Sequence, residues 1–231
     1  MREIVLDTET TGLDPASGDR IVEIGCVELV NHLPTGQTFQ AYVNPERDVP
    51  TQAFAVHGLS REFLSAHPVF AGVAGTFLEF VADSRLIIHN AAFDLGFVNA
   101  ELARLDMAPL LSDRAVDTVQ LARRKFPGAP ANLDALCSRF GVDLADRTLH
   151  GALKDALLLA QVYLELIGGR QPDLSFLAKT GAKTGAKSGT KLADGAAGQP
   201  ARAVRAHAPT DAETAAHAAF LAKLKNPAWS A

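Results

Sequence analysis

The chain has 231 residues, 48% of them hydrophobic, and a formal net charge of −4, enough apolar material to bury a proper core. No segment approaches the apolar run that a membrane span needs, which excludes an integral helical membrane protein. Met1-Arg2-Glu3 leads straight into a strand without a signal-peptide pattern, and Cys26 and Cys137 both sit in apolar contexts as core fillers, so a reduced, cytoplasmic setting is expected.

Strands are expected at 2–8, 20–30, 38–43, 85–89 and 114–117, and helices at about 69–82, 91–105, 118–126, 132–140 and 151–167. The strands come first as a meander and then alternate with helices, which describes an α/β fold. In the first strand, Ile4-Val5-Leu6 runs into Asp7-Thr8-Glu9-Thr10-Thr11-Gly12. Strand side chains alternate faces, so Asp7 and Glu9 project together while Thr8 points away, and two like charges so close repel unless a cation lies between them. A bare acid-x-acid pair is usually only a polar strand end. Distant segments must supply its partners.

Two of them do. His89-Asn90-Ala91-Ala92-Phe93-Asp94 follows the apolar Leu86-Ile87-Ile88 and opens a helical pattern, which puts Asp94 in the first turns of a helix leaving the sheet. Thr148-Leu149-His150-Gly151-Ala152-Leu153-Lys154-Asp155 begins a long apolar-rich helix that stops at Gly168-Gly169. Positions five apart on a helix are about 140° out of line, so His150 belongs on the loop ahead of the helix and Asp155 one turn inside it. Any one of these acids could be a solvated or helix-start residue; together they describe four carboxylates and an imidazole.

With those residues, the chain resembles the DEDDh family of 3′→5′ exonucleases, and within it the epsilon-type proofreading branch of bacterial replicative polymerases. The likeness covers about residues 2–169 and falls on Asp7, Glu9, Asp94, His150 and Asp155, with further shared stretches at Ala53-Phe54-Ala55-Val56-His57-Gly58-Leu59 and Asn132-Leu133-Asp134-Ala135-Leu136-Cys137. It implies a ribonuclease H-like mixed sheet flanked by helices. Four carboxylates suit hard cations, Mg²⁺ or Mn²⁺, and two such ions about 3.5–4 Å apart can clamp the attacking and leaving oxygens of a phosphodiester. Asp7, Glu9, Asp94 and Asp155 are the expected metal ligands. His150 is the expected general base, its imidazole being the side chain that titrates nearest neutrality.

The resemblance also places Thr10, Val56 and His57 near the terminal nucleotide, with Asp7, Glu9 and Asp155 beside them. Gln52 stands where similar proteins often carry a carboxylate; an amide can still hydrogen-bond a 3′-hydroxyl but lacks the charge. A frayed 3′ end enters such a site at less unstacking cost than a paired one, which favours mispaired, single-stranded DNA 3′ ends.

Charge divides the chain. Residues 1–169 carry 13 Lys and Arg against 22 Asp and Glu, whereas residues 170–231 carry 9 against 4. An acidic domain at 1–169 grips DNA weakly by itself, so it is expected to borrow affinity from a partner. Residues 178–206 are low in complexity and read as a flexible linker. Before the linker, residues 170–177 hold Gln171-Pro172-Asp173-Leu174-Ser175-Phe176, which resembles peptides that dock sliding clamps through Gln171, Leu174 and Phe176. Beyond it, in the tail 207–231, Thr210-Asp211-Ala212-Glu213 is a capping box for a short helix whose stripe includes Phe220, Leu221 and Leu224, followed by Trp229. By resemblance that tail anchors to the polymerase alpha subunit, and a small accessory subunit is a further possible partner. Two other readings stay open: a free-standing DEDDh nuclease acting on RNA or short oligonucleotides, and a mainly structural subunit linking polymerase to clamp.

Overall fold

A computed structural model describes residues 1–144, 149–168 and 210–223. β1 (Arg2–Thr10), β2 (Ile21–Val30) and β3 (Leu33–Tyr42) form an antiparallel meander, while β4 (Arg85–Ile88) and β5 (Ala115–Asp117) extend the sheet on the other side of β1, parallel to it. The strand order is β3-β2-β1-β4-β5. Seven helices pack with this sheet or connect it: α1 (Thr51–His57), α2 (Arg61–Ser65), α3 (Phe70–Val81), α4 (Ala91–Ala103), α5 (Thr118–Lys125), α6 (Leu133–Phe140) and α7 (Ala152–Leu166).

Alternation along β1 divides the interior in two. Ile4 and Leu6 face one apolar layer with Phe70 and Phe77 of α3 and Phe97 and Leu102 of α4. Val5 faces the other, with Ala122 of α5, Leu136 and Cys137 of α6 and Leu159 and Val162 of α7. By the same period-2 rule Thr8 continues the α3/α4 face, and Asp7 and Glu9 continue the α7 face. The sheet thus separates the two helical layers, and its central strand ends in polar residues on both sides.

Local chemistry sets where the helices begin. Asp117 caps α5 by accepting the Val119 N–H at 2.9 Å, and Asn132 caps α6 by accepting the Ala135 N–H at 2.8 Å. α7 starts at Gly151 without a side-chain cap of its own. Instead Glu23 of β2 accepts the Ala152 N–H at 3.1 Å, a buried carboxylate on the positive end of the helix.

The chain divides into two compact units, Met1–Thr180 and Gly181–Ala231. In the second, α8 (Asp211–Leu221) opens on the expected capping box, with Glu213 N–H donating to the Thr210 hydroxyl and the Thr210 N–H to the Glu213 carboxylate. Phe220 on α8 is 56% exposed. The clamp-type peptide with Gln171, Leu174 and Phe176, the linker 178–206, and Leu224 and Trp229 lie outside the described residues.

Two features depart from the sequence expectation. β3 begins at Leu33, five residues early, because as an edge strand it needs no buried alternation and tolerates Pro34 and Gly36 in its exposed first half. α1 and α2 were not expected: they are seven and five residues long, too short to show a helical period. As expected, Thr8 leaves the Asp7/Glu9 face, and there its hydroxyl engages Asp94. No helix among the described residues is long and apolar enough to cross a membrane.

Candidate active site

The carboxyl ends of the parallel strands β1, β4 and β5 lie side by side, Leu6 opposite Ile88 and Ile88 opposite Asp117. Crevices at such strand ends are where open α/β sheets bind ligands. Each expected acid arrives there by its own route. Asp7 and Glu9 stand on β1, Asp94 in the first turn of α4 immediately after β4, and Asp155 in the first turn of α7.

A glycine makes the last of these approaches possible. Asp7 is paired with Gly25 of β2, and a Cβ at position 25 would lie 2.1 Å from the Leu153 nitrogen and 2.2 Å from the Ala152 carbonyl carbon. The first turn of α7 therefore rests directly on the β2 backbone, with Glu23 fixing its end. Asp155 is buried there, and His150, exposed on the preceding loop, places Nδ1 3.1 Å from Asp155 Oδ2. Glu9, His150 and Asp155 each offer a ligand atom, all within 4.8 Å of one another. Histidine and aspartate meet as their five-residue spacing requires, one ahead of the helix and one inside it.

Asp94 reaches the same place from the other face. It is 3% exposed, and Thr8 Oγ1 donates to its Oδ1 at 2.7 Å. Burial pushes the Asp94 carboxyl up to about 7, against the hydrogen bonds from Thr8, which favour its ionised form. Asp7 is pushed well above the ordinary carboxyl range, first by burial and then by the charges of Asp94, Glu9, Asp155 and Glu23. Carboxylates crowded in this way repel one another unless positive charge is supplied. The donor set, mostly carboxylate oxygen with one imidazole at its edge, fits hard divalent ions.

Beside the acids lies a cavity of about 490 Å³ whose lining includes Glu9, Thr10, Gln52, Val56, His57 and Phe93. Thr10, Gln52, Val56 and His57, expected near a terminal nucleotide, thus share one wall system with Glu9. Asp7, His150 and Asp155 line an adjoining cavity of about 260 Å³ with His89 and Asn132. His57 is buried, and burial lowers its pKa. Its Nδ1 accepts the Leu59 N–H at 3.0 Å. Its Nε2 lies by the Thr10 backbone without completing a well-formed hydrogen bond.

The far wall is a braced loop. A Cβ on Gly12 would overlap the Asp19 carboxylate at 2.2 Å; that carboxylate accepts from the Thr11 hydroxyl at 3.2 Å and the Asp14 N–H at 3.2 Å, and pairs with Arg47 at 3.0 Å. Arg20 then ties the loop's return to α4 through a two-pronged contact with buried Glu101 at 2.6 and 2.9 Å.

Thr8, Glu23, Gly25 and Asp19 take part in building the site, and sequence reasoning did not single them out. A hint for Thr8 lay in its position between two candidate ligands. Nothing local marks Glu23 and Gly25, whose contacts depend on strand register and on a helix well over a hundred residues away.

Comparison with known proteins agrees with this architecture. A family model described as "Exonuclease" matches residues 4–163. Proteins named DNA polymerase III subunit epsilon are similar over most of their length: that of Rickettsia felis is 56% identical over 183 residues, covering 78% of this chain and 80% of the relative. That of Escherichia coli K12 is 47% identical over 176 residues, covering 73% of this chain and 72% of the relative. Among solved structures, the nuclease domain of 3′hExo, described as a DEDDh family member bound to rAMP, aligns with a TM-score of 0.63 at 19% identity, covering 73% of this chain and 92% of that one. Exonuclease X in complex with 5′-overhanging duplex DNA aligns with a TM-score of 0.57 at 24% identity, covering 72% and 92%. The two solved structures speak to the fold.

Proposed function

The chain belongs to the exonuclease family, in its DNA polymerase III epsilon branch, and we propose that Asp7, Glu9, Asp94 and Asp155 hold two divalent metal ions for the 3′→5′ proofreading hydrolysis it performs, with His150 as general base. The observation that carries this reading is the convergence of Glu9, His150 and Asp155 within 4.8 Å, beside an Asp7 whose carboxyl is driven upward by burial and then by its acidic neighbours.

Divalent ions, Mg²⁺ or Mn²⁺, supply charge stabilisation for both the attacking and the leaving oxygen of an in-line displacement. This chain's residues do the rest. The 490 Å³ cavity receives the terminal nucleotide, with Val56 and Phe93 as apolar walls and Thr10, Gln52 and His57 as polar contacts. Gln52 offers the sugar hydroxyl a hydrogen bond without a charge. The loop position of His150 lets its imidazole face the water side of the scissile phosphate and take the proton of the attacking water, while the contact with Asp155 orients the ring. The leaving strand departs with a 3′-hydroxyl and the excised unit as a nucleoside 5′-monophosphate. Mispaired ends are preferred because they unstack readily into the cavity.

The rest of the chain serves attachment. The relatives are polymerase subunits, and α8 leaves Phe220 largely exposed, so the tail, with Phe220, Leu221, Leu224 and Trp229, is read as the anchor to the polymerase III alpha subunit. Gln171, Leu174 and Phe176 are read as the clamp contact on sequence alone. The acidic balance of residues 1–169 favours borrowing DNA affinity from a partner, and the likeness to polymerase III subunits supports a bacterial cytoplasmic setting at the replisome.

The test is degradation of 3′-mismatched and matched primers with and without polymerase alpha, in the presence of Mg²⁺, Mn²⁺ or chelator. Metal-dependent release of 5′-monophosphates, faster from the mismatch, is expected. Equal loss from both ends, or loss in chelator, would refute the proofreading reading.

A further inference from the structure

A third cavity, of about 680 Å³, continues from the catalytic one and is not used by anything above. It shares His89 and Asn132 with the cavity that holds Asp7, His150 and Asp155, and it shares no residue with the terminal-nucleotide cavity. The acid cavity adjoins the third through His89 and Asn132, and adjoins the first through Glu9, whose carboxylate lies within 4.8 Å of ligand atoms of His150 and Asp155. A strand whose last nucleotide occupies the first cavity and whose scissile phosphate meets the acids can continue into the third, which opens from the acid cavity at His89 and Asn132.

The chemistry of that space suits a polyanion's backbone. It lies at the carboxyl ends of β4 and β5, lined by His89 and Asn90 after one strand and by Asp117 and Gln120 after the other. Asp117, its one carboxylate, already accepts the Asn90, Val119 and Gln120 N–H groups at 3.3, 2.9 and 3.4 Å. Asn90 takes a left-handed conformation there, φ 66°, which turns the chain out of β4 along the cavity wall. Arg123, from the last turn of α5, is exposed on the lining and forms no ion pair with a described residue. Within a catalytic domain this acidic, a cation lining the cavity next to the acids is a candidate phosphate contact.

We propose that this cavity seats the nucleic-acid strand immediately upstream of the scissile bond, with the Arg123 guanidinium on one of its backbone phosphates. The inference rests on the exonuclease reading of the neighbouring acids. It makes residues 89–90 and 117–132 the track along which the strand advances after each excision.

The test compares two substrates of the full-length chain: a single-stranded oligodeoxynucleotide, and an aryl ester of thymidine 5′-monophosphate, which offers a terminal nucleotide and scissile bond but no upstream phosphate. Arg123→Gln is expected to raise KM for the oligonucleotide by roughly three- to tenfold with kcat little changed. It should flatten the plot of log KM against log salt by about 0.7. Hydrolysis of the aryl ester should be unaffected, and Arg123→Lys should retain most of the oligonucleotide affinity. Equal effects of Arg123→Gln on both substrates, or an unchanged KM and salt slope for the oligonucleotide, would overturn the proposal. A parent protein that cleaves neither substrate would strike the exonuclease reading instead.

Discussion

The two faces of the sheet contribute to the site by different means. On the α7 face the acids come together directly: Asp7 and Glu9 from the strand, Asp155 from a helix laid on the β2 backbone, His150 at its entrance. On the α4 face a single acid, Asp94, is held through an intermediary, the hydroxyl of Thr8, which leaves the strand on the side opposite Asp7. One face assembles ligands by main-chain proximity; the other presents one by a hydrogen bond across the strand end. That difference ranks the residues by how much function should depend on each.

The sharpest break is expected on the α7 face. Replacing Asp7 or Asp155 with Asn should lower exonuclease turnover by on the order of 10³-fold, because charge is lost where it must accumulate. Primer-degradation kinetics at saturating metal check this, and a loss below tenfold would remove that acid from the metal set. Next comes His150→Gln, for which a fall of about 10²–10⁴-fold in kcat is expected with metal affinity retained, measured by turnover alongside Mn²⁺ binding. On the α4 face Thr8→Val keeps shape but removes the hydroxyl donor to Asp94. A smaller loss, roughly 10–100-fold in metal affinity or activity, is expected. If Thr8→Val matched Asp7→Asn, the two faces would not differ as described.

The smallest effect is a pH dependence of stability without metal. Asp94, raised to about 7, and Asp7, also raised, stay protonated in the folded chain where the unfolded chain has already released its protons. The folded state therefore binds more protons between the ordinary carboxyl range and about 7, and stability should fall as pH rises through that window. Melting temperatures in chelator at about pH 5.5 and pH 7.5 should show the decline, and divalent metal should reduce it by neutralising the acids. A metal-free protein more stable at the higher pH would contradict the assigned shifts.

Much of this plan can be read from the sequence, and the reasons are local. The alternation of β1 puts Asp7 and Glu9 on one side, and the five-residue interval between His150 and Asp155 requires a loop followed by a helix. The capping box at Thr210 and Glu213 marks the start of α8 unaided. What escaped depends on pairing. α1, whose N-cap Pro50 makes no side-chain bond, leaves Phe54 and Val56 partly exposed, so it shows no buried stripe. Glu23 is an ordinary strand residue until register sets it opposite Glu9 and under the end of α7. Alternation puts Thr8 on the face opposite Asp7, but its bond to Asp94 depends on α4 beginning beside it.

The contact at Gly25 works as a joint with no clearance. Because helix and strand touch main chain to main chain, the distance between Asp7 and Asp155 is set by van der Waals radii of backbone atoms, not by rotamers of intervening side chains. Residues such as Leu159 and Val162 can thus vary in volume behind the joint, shifting the distal part of α7, while the acid one turn from Gly151 keeps its station. A methyl group at position 25 would prise the joint open at its fulcrum, so a substitution far from any scissile phosphate should silence the nuclease while the distal helical layers remain packed.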